Sequence, residues 1–367
     1  MSNILDYIDW RGDISVKESP FNEVDNLILA EIAYMDLAEI AYGARVRESI
    51  SLHDAVEGFF ARHRDTTPYM GVLLPAVLPT LYRKAADSRR FGGMRMLRYK
   101  AVLDTETETQ FAAVTVLVGD GSMYVAFRGT DDTIVGWKED FNMSFMEHIP
   151  AQKLAAKYLA ETAKAVRGKI RVGGHSKGGN LALYSAAHLP PRVQKRVIAV
   201  YNNDGPGFGK DITESEGYRG IADTVLTIVP QFSVVGLLLE HGKVDKIVRS
   251  DSDGIWQHDA CTWEVRGTHF VLADRLSADS LRIEKTIKAW VAELTVEQRR
   301  DLVEAVYKAF TANNAATLTD IATDKLDFLR SLGKMDEKTR EIIRTTGKLL
   351  LREGIRVFSD GKGKKQK

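Results

Sequence analysis

Gly174-His175-Ser176-Lys177-Gly178-Gly179 sets one hydroxyl among glycines, directly after the apolar run Ile170 to Gly173 and at the start of a helix-forming stretch, Ser176 to His188. A serine on a sharp strand-to-helix turn is a nucleophile elbow. Flanking glycines remove the side chains that would clash with its strained backbone. The helix N-terminus behind it offers N–H groups and partial positive charge to a developing oxyanion. The chemistry is acyl transfer: serine attacks a carbonyl, a base takes its proton, and an acyl-enzyme forms. A second segment, Val125-Ala126-Phe127-Arg128-Gly129-Thr130-Asp131-Asp132, ends an earlier strand in a glycine-containing loop. One oxyanion donor comes from such a loop and the other follows the nucleophile, which points to the backbone N–H groups of Thr130 and Lys177.

The base must be a histidine later in the chain than the serine, since the hydrolase order is Ser, then Asp or Glu, then His. Of eight histidines, His241, His258 and His269 follow the elbow helix. His258 lies in the polar loop Asp251 to Asp259, just after a strand ending at Arg249, where the base belongs. His269 sits in an extended segment, Arg266 to Val271. His258 is the candidate base and His269 the alternative.

The elements that must position these groups can be read from periodicity. Asn22 to Ile40, Ser51 to His63 and Val72 to Ser88 have helical spacing, the last limited by Pro75 and Pro79. Period two then takes over, in Met94 to Leu103, Phe111 to Val118 and Met123 to Phe127. Gln152 to Val166 is a helix, Ile170 to Gly173 the elbow strand, and Val197 to Tyr201, Val225 to Val229 and Lys246 to Arg249 are further strands. This alternation predicts a mainly parallel sheet covered on both faces. Beyond Asp274 only helices are expected: one opened by the capping box Thr295-Val296-Glu297-Gln298, then Leu318 to Leu332 and Lys338 to Phe358, before a basic tail from Lys362. The expected fold is α/β-hydrolase, with an N-terminal helical segment (1–90), a hydrolase core (91–275) and a helical C-terminal extension (276–367).

Phe127-Arg128-Gly129-Thr130 followed by Gly174-His175-Ser176-Lys177-Gly178-Gly179 resembles the class 3 lipases, with their F-R-G-[ST] oxyanion loop and G-H-S-x-G-G elbow. Further segments resemble a bacterial family of lipase-like proteins, the Mbeg-like family: Gly136-Trp137-Lys138-Glu139-Asp140-Phe141-Asn142, Asn203-Asp204-Gly205-Pro206-Gly207, Val229-Pro230-Gln231 and Gln257-His258-Asp259. The resemblance covers roughly residues 20 to 275. It implies a hydrolase fold and, through the lipases, lipid or acylglycerol esters. It also implies an acid after the strand that precedes the histidine. Here Val225 to Val229 is followed by Pro230-Gln231-Phe232-Ser233 without a carboxylate, and Ser233 stands roughly where Asp is expected. Three readings stay open. Asp204, after the neighbouring strand, is the acid; or Asp204 only caps the turn Gly205-Pro206-Gly207; or a Ser–His dyad is oriented by Ser233 or a backbone carbonyl, with Asp253 a further carboxylate.

Other groups read more plainly. Asp131, Asp132, Glu139 and Asp140 are expected to be solvated or to hold Arg128 and Lys138 rather than a metal. Trp137, Phe141 and Phe145 read as core. Lys177, where lipases commonly carry Leu, puts a charge beside the elbow. Gly205-Pro206-Gly207-Phe208-Gly209 lacks the Lys-Ser/Thr ending of a phosphate loop, so no nucleotide or other cofactor is expected. Lys and Arg number 51 against 50 Asp and Glu, which argues against nucleic acid. A single cysteine, Cys261, an acidic N-terminus without an apolar run, and no stretch of about 18 apolar residues point to a cytoplasmic protein without a membrane span. Two functions fit: a serine hydrolase of carboxylic esters, or a hydrolase-fold protein without catalysis that serves as a binding or scaffold module.

Overall fold

The computed structural model describes residues 1–41, 43–63, 70–71, 74–240, 242–311, 315–323 and 335–363. Its centre is an eight-stranded sheet in sequential order: β1 (Ile50–Ser51), β2 (Arg95–Asp104), β3 (Thr109–Leu117), β4 (Ser122–Phe127), β5 (Lys169–His175), β6 (Val197–Asn203), β7 (Val225–Pro230) and β8 (Lys246–Val248). The pairs from β1 to β4 are antiparallel and those from β4 to β8 parallel. The parallel half is built from runs such as Met123-Tyr124-Val125-Ala126-Phe127, apolar on both faces because helices cover both.

One face carries α1 (Ile4–Arg11), α2 (Glu23–Ile32), α3 (Leu52–Ala61) and α4 (Leu78–Asp87), whose Leu27, Ile28, Val56 and Leu81 share a core with Val114, Tyr124 and Ala126 of the sheet. The other face is covered by α6 (Pro150–Ala165) and α7 (Lys177–Ala187), whose Leu159 and Leu181 pack with Val125, Val172 and Val200. Between β4 and α6 lies α5 (Ile134–Asn142). This three-layer sheet, with a serine elbow between β5 and α7, is an α/β-hydrolase fold. After it come the short helices α8 (Pro191–Gln194), α9 (Lys210–Thr213) and α10 (Glu216–Arg219), then α11 (Ala278–Glu293), α12 (Val296–Thr311), α13 (Leu318–Thr323) and the C-terminal helix Glu337–Gly363.

Local chemistry explains most boundaries. Asn22 caps α2, and Asp25 returns the bond to the Asn22 N–H. The helix ends at Ile32, not Ile40, because the Asp36 side chain accepts from the Ala38 N–H at 3.0 Å, a local turn that competes with helical bonding. Ser51 caps α3, and the Thr295–Gln298 capping box opens α12. Helix α4 starts at Leu78 rather than Val72, with Pro79 in its first turn; residues 72–73 of the expected helix, and 324–332 of the one begun at Leu318, lie outside the described residues. Short α1 and α5 were not expected from periodicity, since each holds only two turns or so.

Candidate active site

Sheet register brings the candidate residues together. Gly174 of β5 is level with Phe127 of β4 on one side and Asn202 of β6 on the other. The residues just beyond this row, Gly129-Thr130, Ser176 and Asp204, therefore emerge side by side at the carboxyl end of the parallel strands.

Ser176 has φ 57° and ψ −133°, a conformation that side chains rarely adopt, and its N–H donates to the Asn203 carbonyl at 3.0 Å. The turn closes only with glycine nearby: a Cβ on Gly178 would lie 2.2 Å from the Phe127 carbonyl oxygen. The Gly129 loop presses equally close. A Cβ on Gly129 would lie 2.2 Å from the Tyr34 hydroxyl, 2.6 Å from the His175 carbonyl oxygen and 3.2 Å from Ser176 Cβ. Neither the Thr130 nor the Lys177 backbone N–H donates to a partner among the described residues.

His258 Nε2 lies 3.0 Å from Ser176 Oγ, and its Nδ1 lies 2.6 Å from Asp204 Oδ2. Asp204 is fully buried, and its other oxygen, Oδ1, accepts from Ser233 Oγ at 2.5 Å. Both members of the open question about the acid are thus in one chain, with Ser233 holding the carboxylate that faces the imidazole. The turn after Asp204 is capped by another residue: the Gly205 N–H donates to Asn202 Oδ1 at 3.0 Å. His269 is remote in its contacts, with a side chain 71% exposed and 3.9 Å from Glu23. His241 lies outside the described residues.

Supports around His258 went unnoticed in the sequence. His175 Nε2 donates to the His258 carbonyl at 2.8 Å, Trp263 Nε1 to the Gln257 carbonyl at 2.9 Å, and the Phe232 N–H to Gln257 Oε1 at 2.8 Å. His175 Nδ1 faces Tyr34 Oη at 3.5 Å and Glu31 Oε1 at 3.4 Å. Burial pushes the His175 imidazole well down and the Glu31 carboxyl well up, so the buried setting favours the neutral form of each. The signal available in the sequence was a histidine inside the elbow, which reads as part of the motif until a partner is known.

The acidic group near the Gly129-Thr130 loop is arranged differently from expectation. Arg128 pairs with Asp131 at 3.0 Å, but Lys138 turns to Glu108 and Glu304 at 2.9 and 2.7 Å, and Asp132 receives the Thr319 N–H at 3.1 Å. Glu139 is fully buried and pairs with Lys177 at 2.9 Å. Lys177 therefore points inward, beneath the elbow. Among the described residues no group of three or more His, Cys, Asp or Glu is placed to hold a metal ion. Phe141 is not core: it is 47% exposed and, with Trp137, lines a cleft against Val303, Tyr307 and Phe310 of α12.

Asp140 accepts from Thr130 Oγ1, and burial pushes its carboxyl up to about 6. A carboxyl raised by folding contributes stability that is fully present below the ordinary carboxylate range and lost as pH rises through the raised value. Melting curves of the parent and of Asp140→Asn are therefore expected to diverge between about pH 4 and about pH 7, the parent losing ground as pH rises. A constant difference across that range would place the ionisation of Asp140 elsewhere.

The profile of the Mbeg1-like family matches residues 85–308. No curated protein matches the chain. Among solved structures, one described as the crystal structure of M37 lipase is similar over 58% of this chain and 69% of that one, at 17% identity and a TM-score of 0.34. Among the described residues no helix is long and apolar enough to cross a membrane.

Proposed function

The chain belongs to the Mbeg1-like family, and we propose that it is a serine hydrolase of carboxylic esters, with Ser176 as nucleophile, His258 as general base and Asp204 as the acid that orients it. The observation that carries this reading is the unbroken chain Ser176 Oγ, His258 Nε2 and Nδ1, Asp204 Oδ2, at 3.0 and 2.6 Å, ending on a serine held at φ 57°.

Ser176 Oγ attacks the acyl carbonyl while His258 Nε2 takes its proton. Negative charge gathers on the carbonyl oxygen, where the Thr130 and Lys177 N–H groups receive it. His258 then returns the proton to the leaving alcohol, and the acyl group stays on Ser176. Water enters, gives a proton to His258 and attacks the acyl carbon; the bond to Ser176 Oγ breaks, His258 returns the proton to that oxygen, and the carboxylic acid leaves. Asp204 keeps the proton on Nδ1, so that Nε2 is free to accept. The acid lies after β6 rather than β7, and Ser233, in the place after β7, holds it. Exposed Ile255 and Trp256 precede His258 by three and two residues and give that loop an apolar edge, which favours esters with an apolar acyl or alcohol part, lipid esters among them.

A fluorophosphonate is expected to label Ser176, and p-nitrophenyl esters of increasing chain length to be hydrolysed. His258→Ala should lower turnover by roughly a thousandfold or more, the loss expected when a serine has no base; His269→Ala should leave it near the parent value. Absence of labelling together with no ester turnover would return the chain to the binding-module reading, and a greater loss from His269→Ala would move the base.

A further inference from the structure

We propose that the buried Lys177–Glu139 pair, with Gln110, is a brace that fixes the two oxyanion donors relative to each other, making these three side chains positioning residues for the ester hydrolysis. The proposal rests on the reading of Ser176 as nucleophile.

The two donors belong to separate pieces of chain. The Lys177 N–H starts α7, and the Thr130 N–H lies in the loop after β4. Each must sit about 2.7–3.1 Å from the oxygen that becomes negative, so their mutual spacing decides how well charge is received. Lys177 joins them through its own side chain. Its side chain is 1% exposed, and Nζ donates to the Gln110 carbonyl at 3.0 Å, to Gln110 Oε1 and to Glu139 Oε2 at 2.9 Å, which uses all three ammonium hydrogens.

Gln110, fully buried at the start of β3, passes the constraint on. Its Nε2 donates to the Gly129 carbonyl at 3.3 Å and to Asp131 Oδ2 at 3.2 Å, gripping the residues on either side of Thr130. Glu139 closes the frame. Its Oε2 also accepts from the Gln110 N–H at 3.0 Å, and its Oε1 from the Ala151 N–H at 2.8 Å, at the first turn of α6. Four elements, β3, α5, α6 and α7, thus meet at one carboxylate.

Stability alone does not call for such a pair. Burying two charges costs desolvation, and apolar residues of similar volume in the same space are often as stable or more so. What apolar packing does not supply is direction. Hydrogen bonds of fixed geometry from the residue after the nucleophile to the flanks of Thr130 hold the spacing of the donors where simple contact would let it drift. A misplacement of about 1 Å can cost on the order of a hundredfold in rate.

The test uses the full chain, p-nitrophenyl butyrate and a fluorophosphonate. Lys177→Met/Glu139→Leu removes both charges of the pair together, and adding Asp140→Asn removes the further carboxylate that lies 3.7 Å from Lys177 Nζ. Gln110→Met leaves both charges in place but cuts the links to Gly129 and Asp131. Each variant is expected to melt cooperatively and to lose about tenfold to a hundredfold in kcat, with KM changed much less. Phosphonate labelling of Ser176 should slow in parallel, because the phosphonyl oxygen occupies the oxyanion position. Adding Gln110→Met to the double variant should cost little more than the double variant alone, since the two sets act through one connection. Lys177→Arg, which keeps the charge and donors, should recover part of the rate. Parent-like kcat in Gln110→Met and in the double variant overturns the brace, as do losses that simply add or that track loss of folded protein. A parent that neither hydrolyses esters nor reacts with the phosphonate overturns the nucleophile reading, and the brace with it; a reactive parent matched by its variants overturns the brace alone.

Discussion

Ser176→Ala is expected to abolish ester hydrolysis and phosphonate labelling while leaving the melting temperature close to that of the parent. The substitution removes a single oxygen. The strained backbone at φ 57° is as costly for Ala as for Ser, and the bond from the Ser176 N–H to the Asn203 carbonyl stays in place. Loss of the nucleophile of a serine hydrolase lowers kcat on the order of a millionfold, leaving what the oxyanion donors and substrate positioning supply. Equal turnover of variant and parent on the same ester would show that the hydrolysis arises elsewhere.

Asp204→Asn is expected to lower kcat by roughly four orders of magnitude with little change in KM. Asp204 Oδ1 already accepts from Ser233 Oγ at 2.5 Å, so an asparagine keeps its oxygen there and turns its NH2 toward His258 Nδ1. An NH2 donates and does not accept. His258 would then carry its proton on Nε2, facing Ser176, and be unable to take another at neutral pH. The amide also gives no charge to stabilise the imidazolium. The fold should survive, since volume is kept and the Gly205 turn depends on Asn202 rather than on Asp204. Near-parent activity in Asp204→Asn would mean that something else orients the imidazole. A fully active Asp204→Asn/Ser233→Ala variant would remove both groups of that part of the sheet from the mechanism.

The contrast between these residues shows what kind of information sequence carries. The elbow is local. Strand, glycine, serine and helix occupy a dozen consecutive residues, and the positive φ at Ser176 follows from that contiguous chemistry. The same holds for the caps of α2, α3 and α12, each written within four residues. Alternating strands and helices, together with motif order, also determined the α/β-hydrolase layout and put the Thr130 loop and the His258 loop among the candidates.

Which carboxylate faces His258 was decided by tertiary structure. Asp204, Ser233 and Asp253 were all available, and the choice depends on register between β5, β6 and β7, which a hydrogen-bonded ladder sets between segments tens of residues apart. The direction of Lys177 was decided in the same way. Its charge is accommodated inward because Glu139 and Gln110, 38 and 67 residues away, converge beneath the elbow. Glu31 and Tyr34 reach His175 across more than 140 residues. A linear chain specifies what each of these groups can bond to. Only the packed sheet determines which partner arrives, because burial makes an unmet donor or charge too costly to leave without one.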